Sequence, residues 1–338
     1  MMRIIIILAM FSVVIFSQSN VWVKSTNLFA EEPGCKHMSA MVYSADSNRF
    51  FSTLGWVFNG SWNPVSRYAD LSLRLPDTRW INHFPKDSLF THWGDSTGNA
   101  IGGGVNFSGL LSLTAGFMRP GLFTSAYRSF YQYAYNSDDQ SIYHYMANKL
   151  LRYNTRTRIW DTLSTGIHPA NSEGGDWPLI WGAICYDAYN KEIVLFGGAD
   201  VDVRNGNCGT WTYSPAANKW TKLALSVEPP PRCYSQLVYD AKNRCIIVFG
   251  GDHLDYLTAD TWVYDCVAKQ WSKKNPTRSP SPRAGHALLY LPKSRSVVLI
   301  GGYNYTSGYS AVNPFEMWRY DVTVDEWKLI KEFGANDV

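Results

Sequence analysis

The sequence predicts an all-β fold of five four-stranded units, and three recurring observations predict it. The first is a tryptophan near the end of each unit: Trp80, Trp160, Trp220, Trp271 and Trp327. The second is a pair of landmarks before it. Leu71, Leu151, Trp211, Trp262 or Trp318 stands nine residues earlier, and Leu73, Tyr153, Tyr213, Tyr264 or Tyr320 follows two residues after that. The third is a glycine pair eleven residues after a tyrosine: Tyr186 to Gly197, Tyr239 to Gly250 and Tyr290 to Gly301. Seven residues before the first-strand tyrosine of each unit stands Lys36, Arg128, Leu179, Arg232 or Arg283. A period near 50 residues, rich in short apolar runs, marks a repeat architecture rather than a single irregular sheet.

The clearest unit is residues 232–271. Residues 235–239 alternate and stop at the turn-forming Asp240-Ala-Lys-Asn243, which predicts a first strand. Residues 245–249 are continuously apolar, as suits a second strand buried on both faces, and Gly250-Gly251 ends the run. Residues 261–264 form the third strand, with Trp262 and Tyr264 on one side, and Trp271 lies in the fourth.

In chain order, unit one spans about residues 36–84, unit two 128–165, unit three 179–225, unit four 232–276 and unit five 283–332. Two units are eroded. In the first, Tyr43 lies twelve residues from Gly55 and Trp56 replaces the second glycine; in the second, Met146-Ala147 stands where the pair belongs. Residues 85–127 read as a glycine-, serine- and asparagine-rich loop insertion. Its GNAIGGG stretch lacks the strand, helix and Gly-Lys-Ser/Thr context of a phosphate cradle. Pro229-Pro-Pro231 and Pro280-Ser-Pro282 mark crossings between units.

These residues resemble kelch repeats: the glycine pair ending the second strand (Gly197, Gly198, Gly250, Gly251, Gly301, Gly302), the aromatic of the third strand and the downstream tryptophan. The resemblance covers about residues 36–332. It implies a kelch-type β-propeller of five recognisable blades with a loop-bearing binding face, and no single activity. Val21-Trp22-Val23-Lys24 resembles a leading fourth strand with no strands of its own to pair with. The chain then reads as a fragment of a six-bladed or larger ring, or as five blades with Trp22 as an appendage.

Charge excludes one function class. Thirty-one basic against 28 acidic residues leave a net +3, with no electrostatic case for nucleic acid. Met1-Met2-Arg3 followed by the apolar residues 4–16 reads as a signal peptide over residues 1–19, so the expectation is a secreted, periplasmic or cell-surface protein with no membrane span after cleavage. An uncleaved anchor is the alternative. Six cysteines in an exported chain invite disulfides. Strand order suggests Cys208 with Cys233, in loops of one face, and Cys245 with Cys266 at the other, leaving Cys35 and Cys185. No CxxC spacing supports a zinc site, and no metal or cofactor is expected.

Trp56, Trp62, Trp93 and Trp177 remain after the repeat tryptophans are set aside, with Trp22 and Trp181 placed on strands, and all four fall in loops of one face. Exposed rings there suit sugar stacking or protein contact; bracing of the long loops is the plainer alternative. Asp252, His253 and Asp255 share that face and suit ligand binding, or a metal or acid–base role, although loops after glycine pairs carry Asp for turn reasons too. The arginine row and His286 read as structural. Resemblance to galactose-oxidase-like enzymes and sialic-acid mutarotases makes a carbohydrate-active enzyme the alternative. No motif-supported copper set and no sialidase box accompanies it. The expectation is a non-catalytic propeller binding a glycan or extracellular protein; a structural module of a larger surface protein is the third reading.

Overall fold

The computed structural model describes strand backbones between residues 5 and 82, and residues 133–332 except 147–148, 158–159, 164–165, 168, 170–181, 199–208, 254–255, 293, 306–310 and 313–315. Five four-stranded antiparallel meanders follow one another. Blade one is Ala40–Ser44, Arg49–Thr53, Asp70–Arg74 and Ile81–Asn82. Blade two is Tyr133–Asn136, Ser141–Met146, Lys149–Asn154 and Trp160–Leu163. Blade three is Ala183–Asp187, Glu192–Phe196, Thr210–Ser214 and Lys219–Lys222. Blade four is Leu237–Asp240, Cys245–Asp252, Leu257–Asp265 and Gln270–Lys274, and blade five is Ala287–Leu291, Ser296–Ile300, Glu316–Asp321 and Glu326–Glu332. The first strands of successive blades adjoin, so the sheets share an inner side.

The nine-residue spacing has a direct geometric meaning. A four-residue turn brings the third-strand tyrosine opposite the fourth-strand tryptophan: Tyr153↔Trp160, Tyr213↔Trp220, Tyr264↔Trp271 and Tyr320↔Trp327 are register partners. In the last three pairs the rings lie 5.2, 5.2 and 4.8 Å apart. Aromatic cross-strand pairs of this kind are the stabilising unit of a sheet.

Every residue of Cys245–Asp252 is buried, which explains its unbroken apolar run. Its side chains alternate between two seams. Ile246 and Val248 pack with Ala183, Val194, Phe196 and Trp271, while Cys245, Ile247 and Phe249 pack with Leu288, Leu299, Trp318 and Trp327. Gly250 then serves close approach as well as turning. It sits at φ +56°, and a Cβ there would fall 2.5 Å from the Arg283 carbonyl oxygen of the next blade. Gly251 N–H donates to that same carbonyl at 2.9 Å. Gly198 N–H repeats the bond to Arg232 at 2.8 Å.

Two expectations are corrected. Cys245 and Cys266 are both buried and unbridged. Cys245 is the register partner of Asp265, so Cys266, one residue on, points to the other face of the sheet. The two thiols accordingly sit in different seams. Cys233 is likewise unbridged, and Cys208 lies outside the described residues. The second correction concerns Val21–Lys24, which does have strand partners: it pairs with Val13–Gln18, which pairs with Ile5–Leu8. Both partners come from the segment read as a signal peptide.

Candidate functional site

Polar braces stiffen the face where second strands pass to third strands. Arg232 reaches both oxygens of Asp260 at 2.7 and 2.9 Å and donates to the carbonyls of Gly250 and Pro230 at 2.9 and 3.0 Å. Asp260 also accepts the Trp262 indole N–H at 2.7 Å. Blade five repeats the set with Arg283, Glu316 and Trp318. Both arginine side chains are fully buried, so the arginine row is structural where it is described. Burial alone would raise the Asp260 carboxyl, but the bonds from Arg232 outweigh it and hold the group down at about 2. In blade three the corresponding positions are Leu179 and Gly209, so both halves of the brace are replaced together.

Beside these braces the crossings into blades four and five meet. Asp252, at 4% exposure, pairs with Cys233 through two backbone hydrogen bonds of 2.8 and 2.9 Å. Its Oδ2 accepts the Tyr303 hydroxyl at 3.2 Å. The Tyr303 ring meets Tyr234 edge-on at 6.4 Å and covers Gly285, where a Cβ would lie 2.8 Å from the ring. Tyr234 corresponds to that glycine, two residues after its blade's arginine, and keeps φ at +53° although it is a bulky residue. Non-glycine residues in this region carry strain of about 1–3 kcal/mol, which concentrates at ligand clamps. Gly285 N–H donates to the Tyr234 carbonyl at 2.9 Å, tying the two crossings together.

His253 stacks on Tyr256 at 4.7 Å with an 8° interplanar angle. Its backbone N–H donates to the Tyr256 carbonyl at 2.9 Å. Burial and then the Arg232 charge lower the His253 pKa, favouring neutral imidazole, and its enclosed Nε2 makes no hydrogen bond among the described residues. Tyr256 is 56% exposed. At blade five's crossing, His286 is buried against the Phe249 ring at 5.7 Å, and desolvation followed by Arg283 pulls it down to about 3.

Of the residues anticipated from sequence, Asp252 lies against Tyr303 and the next residue, His253, against Tyr256. Trp56 and Trp62 lie on two short strands, Trp56–Phe58 and Trp62–Asn63, which form a hairpin in the connection from second to third strand of blade one. Lys36–His37 pairs with the first of these. Trp80, Trp93, Trp177 and Asp255 lie outside the described residues. Among the described residues no group of three His, Cys, Asp or Glu is placed to hold a metal, and no helix is long and apolar enough to cross a membrane. Tyr234, Tyr256 and Tyr303 escaped the sequence reading. The signal for Tyr234 was its alignment with Gly285.

Successive four-stranded meanders, adjoining at their first strands and sharing apolar seams, define a β-propeller. A family model described as the KLHDC2/KLHL20/DRC7 Kelch-repeats domain matches residues 132–337, more than half of the chain. The chain belongs to the kelch-repeat family. It is 26% identical over 178 residues to multiple epidermal growth factor-like domains protein 8 of Homo sapiens, covering 50% of this chain and 6% of that protein. It is 29% identical over 133 residues to the Rho GTPase-activating protein gacHH of Dictyostelium discoideum, covering 38% of this chain and 8% of that one. It is 26% identical over 105 residues to Mei4-dependent protein 6 of Schizosaccharomyces pombe, covering 30% and 15%. The chain thus spans a small part of the length of each relative.

Proposed function

We propose that the chain is a protein-binding propeller that engages its partner through the face bearing Tyr234, Tyr256, Tyr303, Asp252 and His253. One observation carries this reading: Tyr234 keeps a left-handed backbone where the next blade uses Gly285, so strain is retained while an aromatic ring is held against Tyr303 at the crossing. Tyrosine is also favoured in contact surfaces, because its ring offers apolar area and its hydroxyl tolerates water. A photo-crosslinking residue installed at Tyr256 should capture a partner that the same residue at Ile330, on a fourth strand, does not. Identical products from both positions would remove the reading.

Export belongs to this proposal and is supported by the basic, then apolar, amino-terminal residues. Sequencing the amino terminus of protein recovered outside the cell tests it. A glycan partner is a second form of the reading, supported by the Trp56/Trp62 hairpin on the loop side of blade one. A glycan array with wild type and a Trp56/Trp62/Trp93/Trp177 alanine variant decides it. Equal signals would end it.

A further inference from the structure

The proposed contact surface lies at the end where second strands pass to third strands. The opposite end of the blades carries a separate pattern that does not depend on that surface. Four residues join the first strand to the second in each of blades two to five, and the last of the four holds a positive φ: Gln140 at 54°, Lys191 at 57°, Arg244 at 51° and Arg295 at 50°. One backbone shape therefore offers these four side chains alike. Two of them reach the turn of the preceding blade. The Lys191 ammonium lies 3.4 Å from the Asp138 carboxylate, and the Arg244 guanidinium lies 4.9 Å from the centre of the Tyr189 ring.

The two contacts differ in what they leave over. Lys191 meets an opposite charge, whereas an aromatic face positions the Arg244 guanidinium without neutralising it. Among the described residues no salt bridge or side-chain hydrogen bond engages that guanidinium, and Arg244 is exposed. The carboxylates of the adjoining turns are engaged elsewhere: Asp187 by the Asn190 amide at 2.7 Å, Asp240 by the Asn243 amide at 2.7 Å, and Glu192 by Lys269 at 2.9 Å. Asp265 accepts the Val267 and Ala268 backbone N–H groups at 2.7 and 3.0 Å. Backbone ties join the three turns involved. Asn190 Nδ2 donates to the Cys266 carbonyl at 2.6 Å, and Cys266 N–H donates to the Arg244 carbonyl at 3.1 Å. Beside the cation stand two exposed apolar groups, Tyr189 at 44% and Val267 at 58%. In the next blade Lys242 takes the place of Tyr189 and Arg295 that of Arg244, both exposed, so basic side chains continue toward blade five. Asp321 is the carboxylate that faces this second pair; the Thr323 hydroxyl and, less strongly, Lys242 hold it below the usual carboxylate range.

We propose that Arg244, stacked on Tyr189 and flanked by Val267, is the centre of a second contact surface, which takes an acidic segment of a partner protein. A carboxylate of that segment meets the guanidinium edge in a two-point contact, and a neighbouring apolar side chain covers Tyr189 and Val267. Stacking occupies the face of the guanidinium and leaves its N–H edge for the guest, so the aromatic ring orients the cation before anything binds.

The test uses the full chain and two pools of rhodamine-labelled, C-amidated peptides, one with paired Asp or Glu beside a random apolar residue and one with Asn or Gln in their place. Binding is read by fluorescence anisotropy at low salt for wild type, Arg244→Gln, Val267→Asp and, on the opposite face, Tyr256→Ala. Val267→Asp adds a carboxylate at an exposed turn tip, so it opposes an acidic guest without removing a buried contact. The acidic pool is expected to bind at least about fivefold more tightly than the amide pool and to weaken as salt is added. Arg244→Gln and Val267→Asp should each lose about 3- to 10-fold for the acidic pool, and Tyr256→Ala should lose nothing. Matched thermal unfolding of wild type and variants confirms that the loss is local. Equal binding of the two pools, no binding of the acidic pool up to millimolar concentration, or an acidic preference that survives both Arg244→Gln and Val267→Asp overturns the proposal. Loss on Tyr256→Ala alone assigns the acidic guest to the other face and overturns it too. A heparin oligosaccharide bound through Arg244 while acidic peptides stay unbound overturns the protein assignment.

Discussion

Trp327 donates its indole N–H to Thr261 Oγ1 at 2.9 Å, from the fourth strand of blade five to the third strand of blade four. Trp271 makes the same bond to Thr210 of blade three at 2.8 Å. The equivalent position in blade two is Leu150, and there the buried Trp220 Nε1 has no hydrogen-bond partner among the described residues. Thr261→Val should therefore lower stability by about 1–3 kcal/mol, the penalty for stranding a buried donor. Urea unfolding measures it. The seam between blades two and three should also show weaker protection in native-state hydrogen exchange than the seams between three and four and between four and five.

The arginine braces predict a larger effect. Asp260→Ala leaves the Arg232 guanidinium buried without its carboxylate and should cost about 3–5 kcal/mol in the same unfolding assay. Lysine at position 232 should not rescue the fold, because it cannot make the two-point contact with Asp260 or reach the Gly250 and Pro230 carbonyls in one plane.

Gly250 and Gly301 occupy matching places with different surroundings. A methyl at Gly250 meets the Arg283 carbonyl at 2.5 Å, whereas one at Gly301 meets nothing within 4 Å among the described residues. Both have positive φ. Gly301→Ala should cost only the backbone strain, about 1 kcal/mol, and Gly250→Ala distinctly more. Equal losses of melting temperature would refute the contact-based account.

Two buried histidines set an acid response. Desolvation lowers His144 to about 3, and desolvation with Arg283 does the same to His286. Between pH 6.5 and about 3 the unfolded chain binds protons at both positions and the native chain does not. Stability therefore falls as the pH drops through this window, by about 1.4 kcal/mol per pH unit for each histidine once below the unfolded pKa. Asp260 contributes in the same direction but later. Its native pKa of about 2 makes its share present above the unfolded value near 4 and lost as the pH falls toward 2. Denaturant midpoints measured at pH 7 and pH 5 should differ, and replacing His286 with Phe should reduce that difference.

The thiols offer a further check. Desolvation raises Cys185 and Cys245 to about 12, and Cys233 and Cys266 upward as well. All four should resist alkylation by iodoacetamide at pH 8 in the native protein and react on unfolding. Peptide mapping by mass spectrometry reports each site separately.

The blades were legible because their defining contacts run along the chain. Tyr264 and Trp271 meet across a short turn, so their spacing is fixed by hairpin geometry and recurs in the sequence. The unpaired state of Cys245 and Cys266 depends on a one-residue offset that strand order does not reveal. Thr261 finds Trp327 only across a blade boundary, and Tyr234 meets Tyr303 in the same way. Asp252 and His253 were legible as polar residues following the glycine pair of blade four. Tyr256 carries no signal in the sequence, because its stack on His253 exists only in the fold.

The alternation of Ile246 and Ile247 between two seams has a consequence for how such a chain can change length. Deleting one residue from that strand would exchange the neighbours of every side chain after it, pushing apolar groups into ill-fitting company on both sides at once. Removing the entire 50-residue unit leaves each surviving strand in register and lets blade three meet blade five through surfaces of the same kind. A change of length in this architecture is therefore accommodated by whole modules and not by single residues within a buried strand.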